Sequence, residues 1–127
     1  MSEIEHAIPV IVCQDIQREH DFLVEVFGFA SGGVHVDDVG VPVHAEVIAG
    51  ATTFWLHAVS ATHRMSPPGD TNHGGFVVHM SNLDEHFSMV KQAGARIESE
   101  PTDQDYGQRE YGVSDPEGHR WWFATRI

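Results

Sequence analysis

A chain of 127 residues, 41% apolar and 20% charged, is long enough for one domain with its own core, and its composition excludes disorder and fibrous repeats. Seven Lys and Arg against nineteen Asp and Glu leave a net charge of −12, a field that repels nucleic-acid phosphates and anionic lipid. No apolar run reaches the length of a bilayer span or signal peptide, and the single cysteine, Cys13, sits in an apolar run as a buried thiol, so a cytoplasmic protein without nucleic-acid or membrane partners is expected.

In chain order, an apolar strand at 10–12 runs into Asp15, a suitable N-cap, and a helix whose Ile16, Leu23 and Phe27 mark one apolar stripe. Gly28 stops the helix. Strands follow at 29–36, 41–48 and 52–57, the last two joined by the turn Ala49-Gly50-Ala51. The stretch 59–72, with Pro67-Pro68-Gly69-Asp70, is too polar and kinked to continue a strand. A strand at 77–79 then leads to Asn82, which with Glu85 forms a capping-box pattern ahead of a helix carrying Leu83, Phe87 and Val90. Beyond Gly94 come strands at 96–98, 109–114 and 119–125, the last pair joined by Asp115-Pro116-Glu117-Gly118.

Laid on itself with a shift of 67 residues, the sequence repeats. Val10 falls opposite Val77, Asp15 opposite Asn82, and Phe54-Trp55-Leu56 opposite Trp121-Trp122-Phe123. The chain therefore reads as an α+β domain over 1–127 made of two tandem βαβββ modules, the first about 5–58 and the second about 74–127, with a linker at 59–73. One such module, with a helix on one sheet face, cannot bury enough surface alone. The two are expected to share a curved mixed sheet, with each other or with a second chain, whose free face forms an open cleft.

The paired modules, the helix ending in Phe27-Gly28-Phe29, and the passage from Tyr106-Gly107-Gln108-Arg109 through Asp115-Pro116-Glu117-Gly118-His119-Arg120-Trp121 resemble the vicinal oxygen chelate superfamily over nearly the whole chain. The likeness is strongest to its small glyoxalase-like, bleomycin-resistance-like and PhnB-like members. It implies the glyoxalase/bleomycin resistance fold and a homodimer. Catalytic relatives hold a divalent metal with four side chains, and the equivalent positions here are Ile8, Trp55, Gly75 and Trp122. None of these offers a lone pair to zinc, nickel or iron, so no metal cofactor is expected at them and glyoxalase or extradiol dioxygenase chemistry is disfavoured.

What remains is a cleft floored by the indoles of Trp55 and Trp122, with Thr53, His57, Arg120 and Ala124 on the same strand faces by period-two alternation. Such a floor suits an aromatic or cationic ligand, each indole contributing roughly 0.5–2 kcal/mol of cation–π attraction. Tyr106 and Arg109 flank Gly107 in a loop that borders the cleft in similar proteins; Arg109 either binds a ligand carboxylate or pairs with Asp103 or Asp105.

Ten histidines call for a metal site to be weighed. His44 and Glu46 share a strand face, His79 points into the cleft with Gly75, and His6 precedes the first strand, so these four form an alternative site for Ni, Zn, Fe or Mn. His20 reads as a core residue, and His35, His63, His73, His86 and His119 as loop or surface positions. Three functions stay open: a metal-free protein sequestering a small molecule such as an antibiotic; a metal-dependent lyase, isomerase or dioxygenase with a shifted His/Glu site; and a metal-independent isomerase or epimerase with His79 or Glu46 as base.

Overall fold

A computed structural model describes residues 3–65 and 74–127. The Pro67-Pro68-Gly69-Asp70 stretch and His73 lie outside the described residues. The first half runs β1 (Val10–Cys13), α1 (Ile16–Glu25), β2 (Ala30–Val36), β3 (Pro42–Ala49) and β4 (Thr52–Ala58). The second runs β5 (Phe76–His79), α2 (Leu83–Gln92), β6 (Arg96–Asp103), β7 (Gln108–Ser114) and β8 (Arg120–Arg126). No helix among the described residues is long and apolar enough to cross a membrane.

The repeat seen in the sequence is a repeat of strand register. In each half the first strand lies parallel to the last, pairing Val10 with Trp55 and Val77 with Trp122, both shifted by 67. The other pairings are antiparallel, giving the sheet orders β1-β4-β3-β2 and β5-β8-β7-β6. The α+β class and the βαβββ pattern hold; among the described residues no strand pairing joins the halves, and the mixed sheet is made as two four-stranded sheets.

The helix starts differ from each other. Asp15 caps α1 as its residue type predicts, its carboxylate accepting from Arg18 N at 3.0 Å. Asn82 adopts a left-handed backbone (φ 57°) and makes no side-chain cap, so the capping-box reading fails there; Asp84 and Glu85 in the first turn face the positive end of the helix dipole instead. β6 is also longer than expected, continuing through two register irregularities to Asp103.

Alternation along β4 and β8 sorts the side chains. Phe54, Leu56, Trp121 and Phe123 are buried, and Trp55 and Trp122 between them are half-buried. The buried set joins the two halves into one core: Phe54 meets Trp121 at 5.3 Å and Phe76 at 5.3 Å, while Phe27 lies edge-on to Phe123 at 4.9 Å. Polar bridges close the seam. Both carboxylate oxygens of Glu117 accept backbone N–H groups at the start of α1, from Gln14 at 2.8 Å and Asp15 at 2.7 Å. The two halves thus pack against each other within one chain, leaving each sheet a second, open face.

Candidate functional site

On the open face of the first sheet, β4 presents Thr53, Trp55 and His57, and β3 presents Ile48, Glu46 and His44 directly opposite them. His35 on β2 pairs with His44. The result is a chain of polar contacts. His44 Nε2 lies 2.8 Å from Glu46 Oε2, His57 Nε2 lies 3.0 Å from His44 Nδ1, and His63 Nε2 lies 3.4 Å from His57 Nδ1. The Thr62 hydroxyl, 3.2 Å from His63 Nδ1, ends the chain.

A carboxylate accepts only, so for three neutral rings this order assigns every proton. His44 donates through Nε2 to Glu46, His57 donates through Nε2 to His44, and His63 donates through Nε2 to His57. Burial, and after it the proximity of His44 and His63, hold the His57 pKa below the ordinary histidine value. Trp55 stands in the same cluster, edge-on to His44 at 5.1 Å and stacked beside His57 at 6.1 Å.

The open face of the second sheet is built around Trp122, and glycine makes its place. A Cβ on Gly75 would fall 2.6 Å from Cζ3 of Trp122, and one on Gly112 would fall 3.3 Å from its Nε1, so the ring spreads over both positions. The Arg120 guanidinium carbon is 5.3 Å from the ring centroid. Further along the same face His79 Nε2 donates to Gln108 Oε1 at 2.9 Å, Gln108 Nε2 donates to Glu110 Oε1 at 3.2 Å, and Tyr106 hydrogen-bonds Glu110.

The structure separates several residues that the sequence reading grouped. Trp55 and Trp122 floor different sheets, so the single two-indole floor is not made within the chain. His44 and Glu46 touch, whereas His79 belongs to the second sheet and turns to Gln108, and His6 is exposed ahead of β1. Arg109 leaves the group altogether. Its partner across the ladder is Thr125, one residue out of phase with Ala124 and Trp122, so it projects on the α2 side and binds Asp84 at 3.1 Å and Asp103 at 3.0 Å.

Two histidines read as surface positions are instead structural bridges. His86 donates through Nε2 to the Phe27 carbonyl at 2.8 Å and accepts at Nδ1 from the Tyr111 hydroxyl at 2.6 Å. His119 donates through Nε2 to the Val12 carbonyl at 2.9 Å, and its Nδ1 meets Asp115 at 2.9 Å and Glu19 at 3.1 Å. Burial pushes the Glu19 carboxyl up to about 9, so it is a neutral acid near pH 7. Burial opposes charge on His119, yet the hydrogen bonds to Asp115 and Glu19 hold its pKa at about 10. A signal for this cluster was present: Glu19 falls within the stripe of Ile16, His20 and Leu23, and a buried carboxyl requires a partner.

Glu19, Asp115 and His119 are close enough to ligate an ion together, with Nδ1 of His119 facing both carboxylates while its Nε2 donates to the Val12 carbonyl, and Asp115 also accepts from Trp121 Nε1 at 2.9 Å. The hydrogen bonds of this cluster also cross the seam between the halves.

Residues 3–123 match the sequence profile of the Glyoxalase/Bleomycin resistance protein/Dioxygenase superfamily. The chain belongs to that superfamily. A search of curated proteins found no significant match. Among solved structures, TioX from Micromonospora sp. ML1 is 30% identical, with a TM-score of 0.80 over 97% of this chain and 99% of its own. TnmS3, an antibiotic binding protein from Streptomyces sp. CB03234, is 21% identical, with a TM-score of 0.78 over the full length of both chains. A glyoxalase-related enzyme from Clostridium phytofermentans is also 21% identical, with a TM-score of 0.77 over 99% of this chain and 98% of its own; at that identity the last two likenesses show the fold alone.

The metal that catalytic members of the superfamily carry does not fit the residues that the resemblance places at its positions. Ile8 and Gly75 have no donor atoms, and the indoles of Trp55 and Trp122 have no lone pair to give. At Gly75 the space beside the backbone is taken by the Trp122 ring.

Proposed function

We propose that this chain is a small-molecule-binding protein of the bleomycin-resistance type, which sequesters an aromatic or cationic ligand such as an antibiotic on the indoles of Trp55 and Trp122 without a metal at the family positions. One observation carries the reading: both indoles stay half-buried on open sheet faces while their sequence neighbours fill the core, and Trp122 is seated flat by two glycines. A large aromatic ring left uncovered in this way is a contact surface for a ligand. The antibiotic-binding description of TnmS3, a protein of the same fold, supports it.

In this reading the protein is a cytoplasmic homodimer in which one protomer's first sheet faces its partner's second sheet, so that the two indoles close on one ligand. Thr53, His57, His79, Tyr106 and Arg120 form the surround. Intrinsic tryptophan fluorescence, titrated with aromatic cations in chelator-treated buffer, tests the proposal: saturable quenching without metal is expected, and a response only to stoichiometric metal overturns it.

A second reading has a specific observation in its favour. His44 Nδ1 and His57 Nε2 are 3.0 Å apart, the spacing of two donors around one ion with metal–nitrogen distances of about 2.0–2.1 Å, and Glu46 holds the opposite nitrogen of His44, where it would orient that ring. A lyase, isomerase or dioxygenase would then use this shifted set with Ni, Zn, Fe or Mn. Calorimetry with Zn²⁺ separates the readings: tight one-to-one binding that His44→Ala abolishes supports the second.

A further inference from the structure

Seven Lys and Arg serve the whole of this acidic chain, and three of them, Arg18, Arg96 and Arg120, line one recess of about 580 Å³ beside the 115–118 turn. The acidic groups in its wall are already matched. Glu117 holds the Gln14 and Asp15 amides and stands 3.7 Å from Arg18. Glu98 is held by Arg96 at 3.1 Å and by the Ser114 hydroxyl at 2.8 Å. Asp115 is held by His119 and Trp121.

Arg120 is the cation left over. Among the described residues no carboxylate reaches it, and its Nε is buried without a hydrogen-bond partner. Its compensation within the chain is the face of Trp122. Removing part of a guanidinium from water without an anion is unfavourable, and cation–π attraction offsets only some of that cost.

We infer that Arg120, which lines this recess and also borders the Trp122 ring, takes a carboxylate, and that the ligand lying against Trp122 is an aromatic acid. Two features select that chemistry over a cation. Arg120 already places a cation beside this indole, so a cationic ligand there would meet a like charge. The planar guanidinium also matches a carboxylate in shape, and a charge-assisted bond there neutralises it. The aromatic half of this inference rests on the proposed function, whereas the anion site rests on Arg120 alone. An acidic protein repels anions at long range, but at about 0.15 M salt that field is screened beyond roughly 8 Å and the local contact decides.

The test uses 2-naphthoate and its neutral isostere 2-naphthamide, with acetate as an anion lacking the ring, in 0.15 M salt. Side-chain NMR follows the Arg120 Nε–H and the Trp122 indole N–H of the full chain. Naphthoate is expected to move the Arg120 signal saturably and to bind about tenfold or more tighter than naphthamide, the discrimination of one charged hydrogen bond, and Arg120→Gln is expected to erase that preference. Equal affinity for acid and amide, or a preference that survives in Arg120→Gln, overturns the inference. An Arg120 signal that responds to none of the three also overturns it, whatever the indole does. If acetate and naphthoate move Arg120 while neither naphthoate nor naphthamide moves the indole, the anion site stands and the aromatic floor fails.

Discussion

Nε2 of His57 sits 3.0 Å from Nδ1 of His44, and because His44 donates its other nitrogen to Glu46, this contact sets the tautomer of both rings. The open face of the first sheet therefore presents a directional row of imidazoles beside Trp55. The prediction is that His44, His57 and His63 are all Nε2–H tautomers at pH 8, read from ¹⁵N shifts of the rings. Any Nδ1–H form among the three contradicts the assignment.

Acid disturbs that row in a defined direction. Burial and its histidine neighbours lower the His57 pKa, so the folded protein favours the neutral ring; its contribution is present above the ordinary histidine pKa of about 6.5 and is lost as pH falls through the lower folded value. Charge then appears beside Trp55. Affinity for a cationic aromatic probe at Trp55 is expected to fall between pH 7.5 and 5, and His57→Gln is expected to flatten that fall. An unchanged pH profile in the variant sinks the role of His57.

Gly75→Ala should act on Trp122 at the next strand. Its Cβ would lie 2.6 Å from the indole and 2.8 Å from the Arg120 carbonyl, so the ring must lift or the strand must move. Overpacking of this kind costs about 1–3 kcal/mol. Urea denaturation should show that loss together with a shifted emission maximum, and a variant with wild-type stability and spectrum would contradict the seating of the indole.

The Glu19 and His119 pair makes stability fall as the medium becomes alkaline. Both folded pKa values are raised, to about 9 and about 10, so the folded chain holds more protons than the unfolded one from roughly pH 4.5 upward. Stability supplied by these groups is present at low pH and declines through that window. Over pH 6 to 7.5, below the range where thiol and phenol ionise, the wild type should lose stability and Glu19→Gln should lose less. A steeper decline in the variant contradicts the assignment of a neutral Glu19.

His86→Leu would leave the Phe27 carbonyl and the Tyr111 hydroxyl without partners at the seam. Each unpaired group costs about 1–3 kcal/mol. A total loss near 2 kcal/mol or more is expected from the urea midpoint, and a loss below about 0.5 kcal/mol would show that the bridge is replaced by water.

The fold was legible because its evidence is periodic. The shift of 67 that aligns Val10 with Val77 and Trp55 with Trp122 is the register of the strands, and alternation alone separates Trp121 from Trp122. What escaped depends on partners distant in sequence. Arg109 reads as a loop residue until Gly112 is paired with Trp122, which puts 108 and 110 on the open face and 109 on the other. His119 and Glu19 are 100 residues apart, and His86 and Phe27 are 59 apart, so their bonds exist only once the halves are docked. Asn82 has a residue type that suits either a cap or a left-handed turn, and the chain entering α2 selects the turn. That the two open faces belong to separate sheets follows from which strand edges pair, and the apolar pattern is the same in either arrangement.

The direct test of the binding proposal is a fluorescence titration of the metal-free wild type, Trp55→Ala and Trp122→Ala with an aromatic probe, with folding checked by circular dichroism. Saturable quenching in the wild type that weakens by about tenfold or more in each folded variant, roughly the 1.4 kcal/mol of a stacked ring, is the predicted result. Unaltered affinity in both variants, or quenching that needs stoichiometric metal, would contradict ligand binding on the open-face indoles.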